Sequence, residues 1–319
     1  MINRALIRLK VIQLVYAYYQ QEGKDLDTAT KELDFSLQKA IDLFHYLLAV
    51  PIELKKIAIR KENIRAAQAK RAGTDAVEPS VHTILAENRL IEKLEANKQM
   101  IDFLEMRKQE WPEEAAFMKQ LYEEVTATDY AADYAAQLHK DFDSDKEFVR
   151  KLYRFSVMGN DRFDSLIEDH SLYWNDDKDI VDTFVLKAIK QIEEHDDEEA
   201  DLLPDLLKDE DRHFAHRLFS QAITRGPELR DMVAKVHPTW DMQRLVVMDI
   251  VILQTAVAEV LTFDDIPLNV TFNEYIEIAK VYGTPQSPSF VNGTLQQIVT
   301  ELKKEGRTTK ARQAAKPAK

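Results

Sequence analysis

Cysteine is absent from the 319 residues, so disulfide frameworks, thiolate nucleophiles, iron–sulfur clusters and zinc sites with Cys ligands are excluded together. Glycine is nearly as scarce, with 7 residues against roughly 22 at the ordinary usage of about 7%. Hairpins, bulges and phosphate-cradling loops that depend on glycine are therefore in short supply, which points to an all-α fold. No run of about 18 apolar residues occurs, and Met1-Ile2-Asn3-Arg4 does not open a charged region followed by an apolar stretch and a small-residue cleavage site. The expectation is a cytoplasmic protein with no membrane span. What the chain does have is 45% hydrophobic residues, enough for a packed core.

The net charge of −13 speaks against a general polyanion binder, but it conceals local contrasts. Met1 to Gln20 carries Arg4, Arg8 and Lys10 and no acid, and Lys55 to Arg71 carries seven bases against one acid. Glu193 to Asp211 holds eleven acids and one lysine. This run reads as a solvated linker or, alternatively, a docking site for a basic partner. Residues 303–319 carry seven bases with no large apolar residue and are expected to be disordered.

Apolar spacing predicts helices over most of the chain. Ala5, Leu9, Ile12, Tyr16 and Tyr19 form one stripe of a first helix ending at Gly23, with Arg4, Arg8 and Val11 on the adjoining stripe. A second helix is expected from Leu33 to Arg65, bent at Pro51, followed by Leu85 to Gln109 and Glu113 to Thr126. Sliding the chain by 66 residues superposes Asp145, Phe148, Leu152 and Trp174 on Asp211, Phe214, Leu218 and Trp240, the signature of a degenerate repeat of one helical hairpin. Leu245 to Leu261 is strongly apolar yet contains Asp249, Gln254 and Glu259. Thr271 to Glu274 has capping-box spacing for a helix burying Phe272, Ile276 and Ala279 and stopping at Gly283. Ser289 is the expected cap of a last helix with the stripe Val291, Leu295, Ile298 and Leu302. The domain reading is 1–140, an N-terminal helical region; 141–210, the degenerate repeat and acidic linker; 211–302, a helical core; and 303–319, the basic tail.

Catalytic and cofactor motifs are missing: there is no dinucleotide fingerprint, phosphate loop, His-Glu-x-x-His or Gly-x-Ser-x-Gly. Asp141, Asp143 and Asp145 imitate a calcium loop, but Lys146 and Leu152 occupy the positions that need glycine and glutamate. His213 and His216 have a metal-ligand spacing, though acids at a helix start explain the neighbourhood more simply. No cofactor or metal is expected. Arg4, Arg8 and Lys10 are candidates for phosphate contact beside Asn3, Gln13 and Gln20, a pattern suited to single-stranded RNA; a basic helix serving solubility is the other reading. Tyr16, Tyr18 and Tyr19 suit either a protein interface or core packing.

The two ends of the chain together resemble the NusB family of transcription antitermination factors. The resemblance rests on Asp249-Ile250-Val251-Ile252-Leu253, Ala256, Glu259-Val260-Leu261, Asp265-Ile266-Pro267, Val270, Asn273-Glu274, Glu277-Ile278-Ala279-Lys280, Gly283 and Phe290-Val291-Asn292-Gly293 with Leu295, and on Arg4, Arg8, Gln13 and Tyr16. It covers about a third of the chain and implies a NusB-like helical bundle without catalytic activity, extended here by an inserted helical region. It further implies pairing with ribosomal protein NusE on single-stranded boxA-type RNA within the transcription elongation complex, promoting ribosomal RNA synthesis. Arg4, Arg8, Lys10 and Phe290 would then face RNA, and Tyr16 and Asp249 the protein partner, while Asn292 and Gly293 would serve either backbone geometry or binding. Ala5, Leu6 and Ile7 interrupt the arginine cluster usual in the family, and Gln254 and Ala258 replace its usual arginine and aromatic. Weaker RNA affinity, offset by Lys55 to Arg71 and the tail, is the expected consequence; a helical interaction scaffold that has lost RNA binding is the alternative. NusB-like domains also occur fused to RNA methyltransferases, but 7 glycines and no cysteine exclude such a catalytic domain here.

Overall fold

The computed structural model describes residues 2–21, 25–73, 80–107, 114–137, 140–203, 208–239 and 245–308. Among them there are helices and no strand. In chain order these are α1 (Ile2–Gln20), α2 (Leu26–Arg71), α3 (Val81–Ala86), α4 (Arg89–Ala96), α5 (Lys98–Met106), α6 (Ala115–Thr126), α7 (Asp129–Ala135) and α8 (Phe142–Leu152). A π-helical turn (Tyr153–Val157) prolongs α8, and α9 (Asp161–His170), α10 (Lys178–Gln191), α11 (Asp209–Thr224), α12 (Gly226–Val236), α13 (Val247–Thr262), α14 (Leu268–Tyr282) and α15 (Ser287–Lys304) follow.

Two compact units result: residues 1–37 with 207–319, and residues 38–206. The expected N-terminal region 1–140 is therefore divided: the first helix belongs with the C-terminal helices. The first unit is built around α13, which packs against α1, α11, α12, α14 and α15. Every residue from Asp249 to Val260 is buried, so this helix is enclosed on all sides rather than amphipathic. The expected single stripe of α1 is likewise too narrow. Leu6, Ile7, Val11, Leu14 and Val15 are buried together with Leu9 and Ile12, while Tyr16 is exposed.

Several helix boundaries differ from the spacing-based expectation because capping groups set them. The Asp25 carboxylate accepts the N–H and hydroxyl of Thr28, at 2.9 and 2.6 Å, and starts α2 a full two turns before Leu33. That helix then runs through Pro51 to Arg71. The stretch read as one helix from Leu85 to Gln109 is broken at Asn88 and Asn97, whose side chains accept backbone N–H groups of Ile91, and of Gln99 and Met100. Thr271 does not cap: α14 already starts at Leu268, after Pro267. Nor does Ser289 cap α15, which begins at Ser287; the Ser287 hydroxyl accepts the Thr284 N–H at 2.8 Å. The stripe Val291, Leu295, Ile298 and Leu302 is buried as expected, whereas Tyr275 takes the core position given to Ile276.

In the second unit, α8 packs on α4, α7 and α10. Advancing by 66 residues carries 142–157 onto 208–223, 161–170 onto 227–236 and 178–191 onto 244–257, so α8 with its π-turn, α9 and α10 repeat α11, α12 and α13. The buried positions keep register: Phe148 with Phe214, Leu152 with Leu218, Val157 with Ile223, Phe163 with Leu229 and Ile167 with Val233. Trp174 is buried and donates its indole N–H to Lys39 at 2.8 Å; its sequence counterpart Trp240 lies outside the described residues. The acidic run is not a free linker. Lys93 donates to the Asp196 carbonyl at 2.6 Å, the Lys98 N–H to the Glu198 carbonyl at 2.8 Å, and Arg89 pairs with Glu194 at 3.2 Å. Of residues 303–319, Lys303 and Lys304 complete α15, and 309–319 lie outside the described residues.

Candidate functional site

An acid in the middle of an enclosed apolar helix needs a cation and hydrogen-bond donors, and Glu259 on α13 has both. Arg8 forks onto it, Nε to Oε2 at 2.7 Å and a terminal amino group to Oε1 at 3.0 Å. The Thr271 hydroxyl donates at 2.8 Å and the Tyr275 hydroxyl at 3.2 Å. Glu274 stands 3.5 Å from the same guanidinium. Burial alone would lower the Arg8 pKa, but the Glu259 hydrogen bonds and charge leave it raised. Burial pushes the Glu274 carboxyl up, against the pull of Arg8.

This cluster corrects the expectation for α1. Arg8 is 2% exposed and Lys10 1% exposed, so neither offers its charge to a phosphate in this structure. Arg4, one turn earlier, keeps a third of its side chain accessible, 3.8 Å from Asp265 and 4.9 Å above the Phe214 ring. Sequence reasoning quoted Glu259 but did not pair it with Arg8; a carboxylate within an apolar run was the available signal.

A second buried acid, Asp249, opens α13. It is 5% exposed, its Oδ1 has no hydrogen-bond partner among the described residues, and burial raises its pKa despite the Ser287 hydroxyl donating to it. Tyr16, the other residue expected at a protein partner, is exposed. Gln254 resolves its departure from the usual arginine with a network of its own. Its amide donates to the Tyr19 hydroxyl at 2.9 Å and the Ala222 carbonyl at 2.6 Å, and accepts from Arg230 Nε at 2.8 Å. Arg230 lies 3.8 Å over the Tyr19 ring.

Phe290 sits half-buried in the first turn of α15, its ring centroid 5.7 Å from that of His237. Of the two uses open to Gly293, one turn on, backbone geometry is not the one the helix makes of it. It lies exposed inside the helix with nothing within 4 Å of where a Cβ would be, and the Asn292 side chain accepts from Gln296 at 2.9 Å. Gly283 contrasts with it, because a Cβ there would meet the Ala279 carbonyl and Ser287. Beside Gly293 an open cleft of about 610 Å³ runs past Lys235, Gln296, Gln297 and Thr300. Elsewhere, His216 pairs with Asp34 at 2.7 Å, and no group of three metal-ligating side chains is found among the described residues. No helix among them is long and apolar enough to cross a membrane.

A sequence model of the NusB family matches residues 180–300. The transcription antitermination protein NusB of Salinibacter ruber is 34% identical over 132 residues, 40% of this chain and 82% of that protein. That of Geobacter sulfurreducens is 38% identical over 95 residues, 30% of this chain and 69% of its own length. A solved structure of T. maritima NusB is 29% identical, with 48% of this chain and 91% of that one covered and a TM-score of 0.28. With more than four-fifths of a relative matched at this identity, the chain belongs to the NusB family, as a long member with an additional helical region.

Proposed function

We propose that this chain is a non-enzymatic transcription antitermination factor that binds single-stranded boxA-type RNA together with ribosomal protein NusE in the elongation complex and thereby promotes ribosomal RNA transcription. The observation that carries the RNA surface is Gly293. An exposed glycine inside a helix costs about 0.5–1 kcal/mol relative to alanine, and here it supports no turn and no packing. It keeps the helix surface flat beside the half-buried Phe290 ring, which suits the close approach and stacking of an unpaired base. Arg4 supplies the accessible cation on α1 and Tyr16 faces the protein partner, while Asp249, 5% exposed, is withdrawn from the surface as Arg8 and Lys10 are.

Burial of Arg8 and Lys10 favours the second reading, an interaction scaffold without RNA binding, because it removes two of the three cations of α1. Titrating fluorescent boxA-type RNA with the full chain, alone and with NusE, separates the two. The RNA reading expects binding strengthened by NusE and weakened about tenfold by Phe290→Ala, the loss of one stacked base at about 1–3 kcal/mol. Capture of NusE with no RNA binding would leave the scaffold.

A further inference from the structure

The strongest uncompensated positive feature of the described surface lies outside the family match, on the distal part of α2. From Ile59 to Gly73 no residue is buried, and while Lys61, Glu62 and Arg65 are half-buried on one side, the other side of this length of helix stands in solvent. At 100° per residue, Lys56, Arg60, Asn63, Ala67, Lys70 and Arg71 fall within about 60° of one line, over roughly 22 Å of helix axis. All six are exposed. Their acidic neighbours are engaged elsewhere or at one end: Glu62 faces the other side, holding Arg65 and the hydroxyls of Ser80 and Thr83, and Glu53 holds Lys56 at 2.6 Å. Arg60 donates only Nε, to the Lys56 carbonyl at 3.2 Å, and among the described residues no acid lies in ion-pair range of Arg60, Lys70 or Arg71.

We propose that this face of α2 is a second RNA-binding surface, with Arg60, Lys70 and Arg71 contacting the phosphate backbone of single-stranded RNA and Asn63 hydrogen-bonding base edges or ribose. Three observations fit such a ligand. The cations are strung along a line, as the phosphates of an extended strand are, not gathered at a point. Ala67 at the middle of the line lets the strand lie close to the helix, and Ile64, exposed at its border, offers an apolar contact to a base face. Finally, the net charge of −13 repels polyanions in general, so a strand is held only where positive side chains are concentrated. This surface compensates for the cations that α1 withdraws into its core.

The inference rests on the chain being an RNA-binding factor, and its test keeps the two apart. A labelled 30-nucleotide single-stranded RNA with a boxA-type element is titrated with the full chain and NusE over a salt series. The proteins compared are the wild type, Arg60→Gln/Lys70→Gln/Arg71→Gln, and Phe290→Ala. Each phosphate neutralised on a single strand contributes about −0.7 to the log–log salt slope. The triple variant is expected to flatten the slope by about 2 and to bind at least tenfold more weakly in low salt, with its circular dichroism unchanged. Phe290→Ala should weaken binding while leaving the slope alone. Wild-type binding with an unaltered slope in the triple variant overturns the α2 surface and leaves the RNA reading intact. No wild-type binding overturns both. Binding of phosphatidylserine vesicles through the same three residues, with RNA binding unaffected by them, overturns the assignment in favour of a membrane surface.

Discussion

Arg8 shows how the same side chain reads differently in sequence and in space. Its spacing from Arg4 places it one turn along a basic helix, which suggests a phosphate ligand, yet its guanidinium forks onto Glu259, 251 positions away. No local pattern reveals such a pairing; the legible part was the acid itself, conspicuous in an apolar run. Removing one partner of a buried ion pair leaves the other uncompensated, at a cost of about 3–5 kcal/mol. Arg8→Ala is accordingly expected to lower denaturant stability by that order, and Glu259→Ala comparably, whereas Arg4→Ala should change it by less than about 1 kcal/mol. Equal effects of the two arginine substitutions would contradict the assignment of Arg8 to the core. Asp249 gives a prediction of opposite sign. Its folded pKa is raised by burial above the unfolded value of 3.8, so the native state holds the proton more tightly. Ionisation costs native stability above the raised value, and the cost is relieved as pH falls through it. Asp249→Asn should therefore raise the melting temperature near pH 7 by an amount that fades toward about pH 4. A substitution that destabilises the protein at every pH would remove the acid from this role.

The helices themselves were largely legible, because enclosed and half-buried helices both leave apolar periodicity. Their ends were not, wherever several polar residues competed to cap. Thr271 and Glu274 have the spacing of a capping box, but Pro267 starts α14 earlier, and the threonine hydroxyl is drawn to Glu259. Asn88 and Asn97 break a stretch whose apolar residues alone would support one continuous helix. The two glycines of the C-terminal helices separate structural from functional use. At Gly283, between α14 and α15, a Cβ would press on the Ala279 carbonyl, so Gly283→Ala should cost about 1–3 kcal/mol. At Gly293, where space is open, Gly293→Ala should stabilise α15 by about 0.5–1 kcal/mol and still weaken RNA binding. Thermal melts paired with RNA titration check both. Destabilisation by Gly293→Ala would show that the glycine serves the fold after all.

The division of the chain was the least legible property. Sequence order suggested an N-terminal region followed by a repeat and a core, but α1 packs on α11 and α13, completing the unit that starts again at residue 207. Contacts between chain ends have no local signature, whereas the 66-residue repeat did, since the buried positions of α8 to α10 and α11 to α13 keep common spacing. The repeat preserves the apolar core and not the buried polar groups set into it. At other positions than the Arg8–Glu259 pair of the first unit, the second unit buries Asp182 with Lys178 at 2.9 Å and the Tyr153 hydroxyl at 2.5 Å. The family-matched helices together with α1 thus carry the candidate RNA and partner surface, and the inserted unit adds the exposed basic length of α2. Transcription in vitro through a terminator placed downstream of a boxA-type element, with elongation complex and NusE present, puts the antitermination reading to the test. Added wild-type chain is expected to raise read-through, and Phe290→Ala to abolish most of the rise. Unchanged read-through in the presence of a formed complex between the chain and NusE would contradict the account.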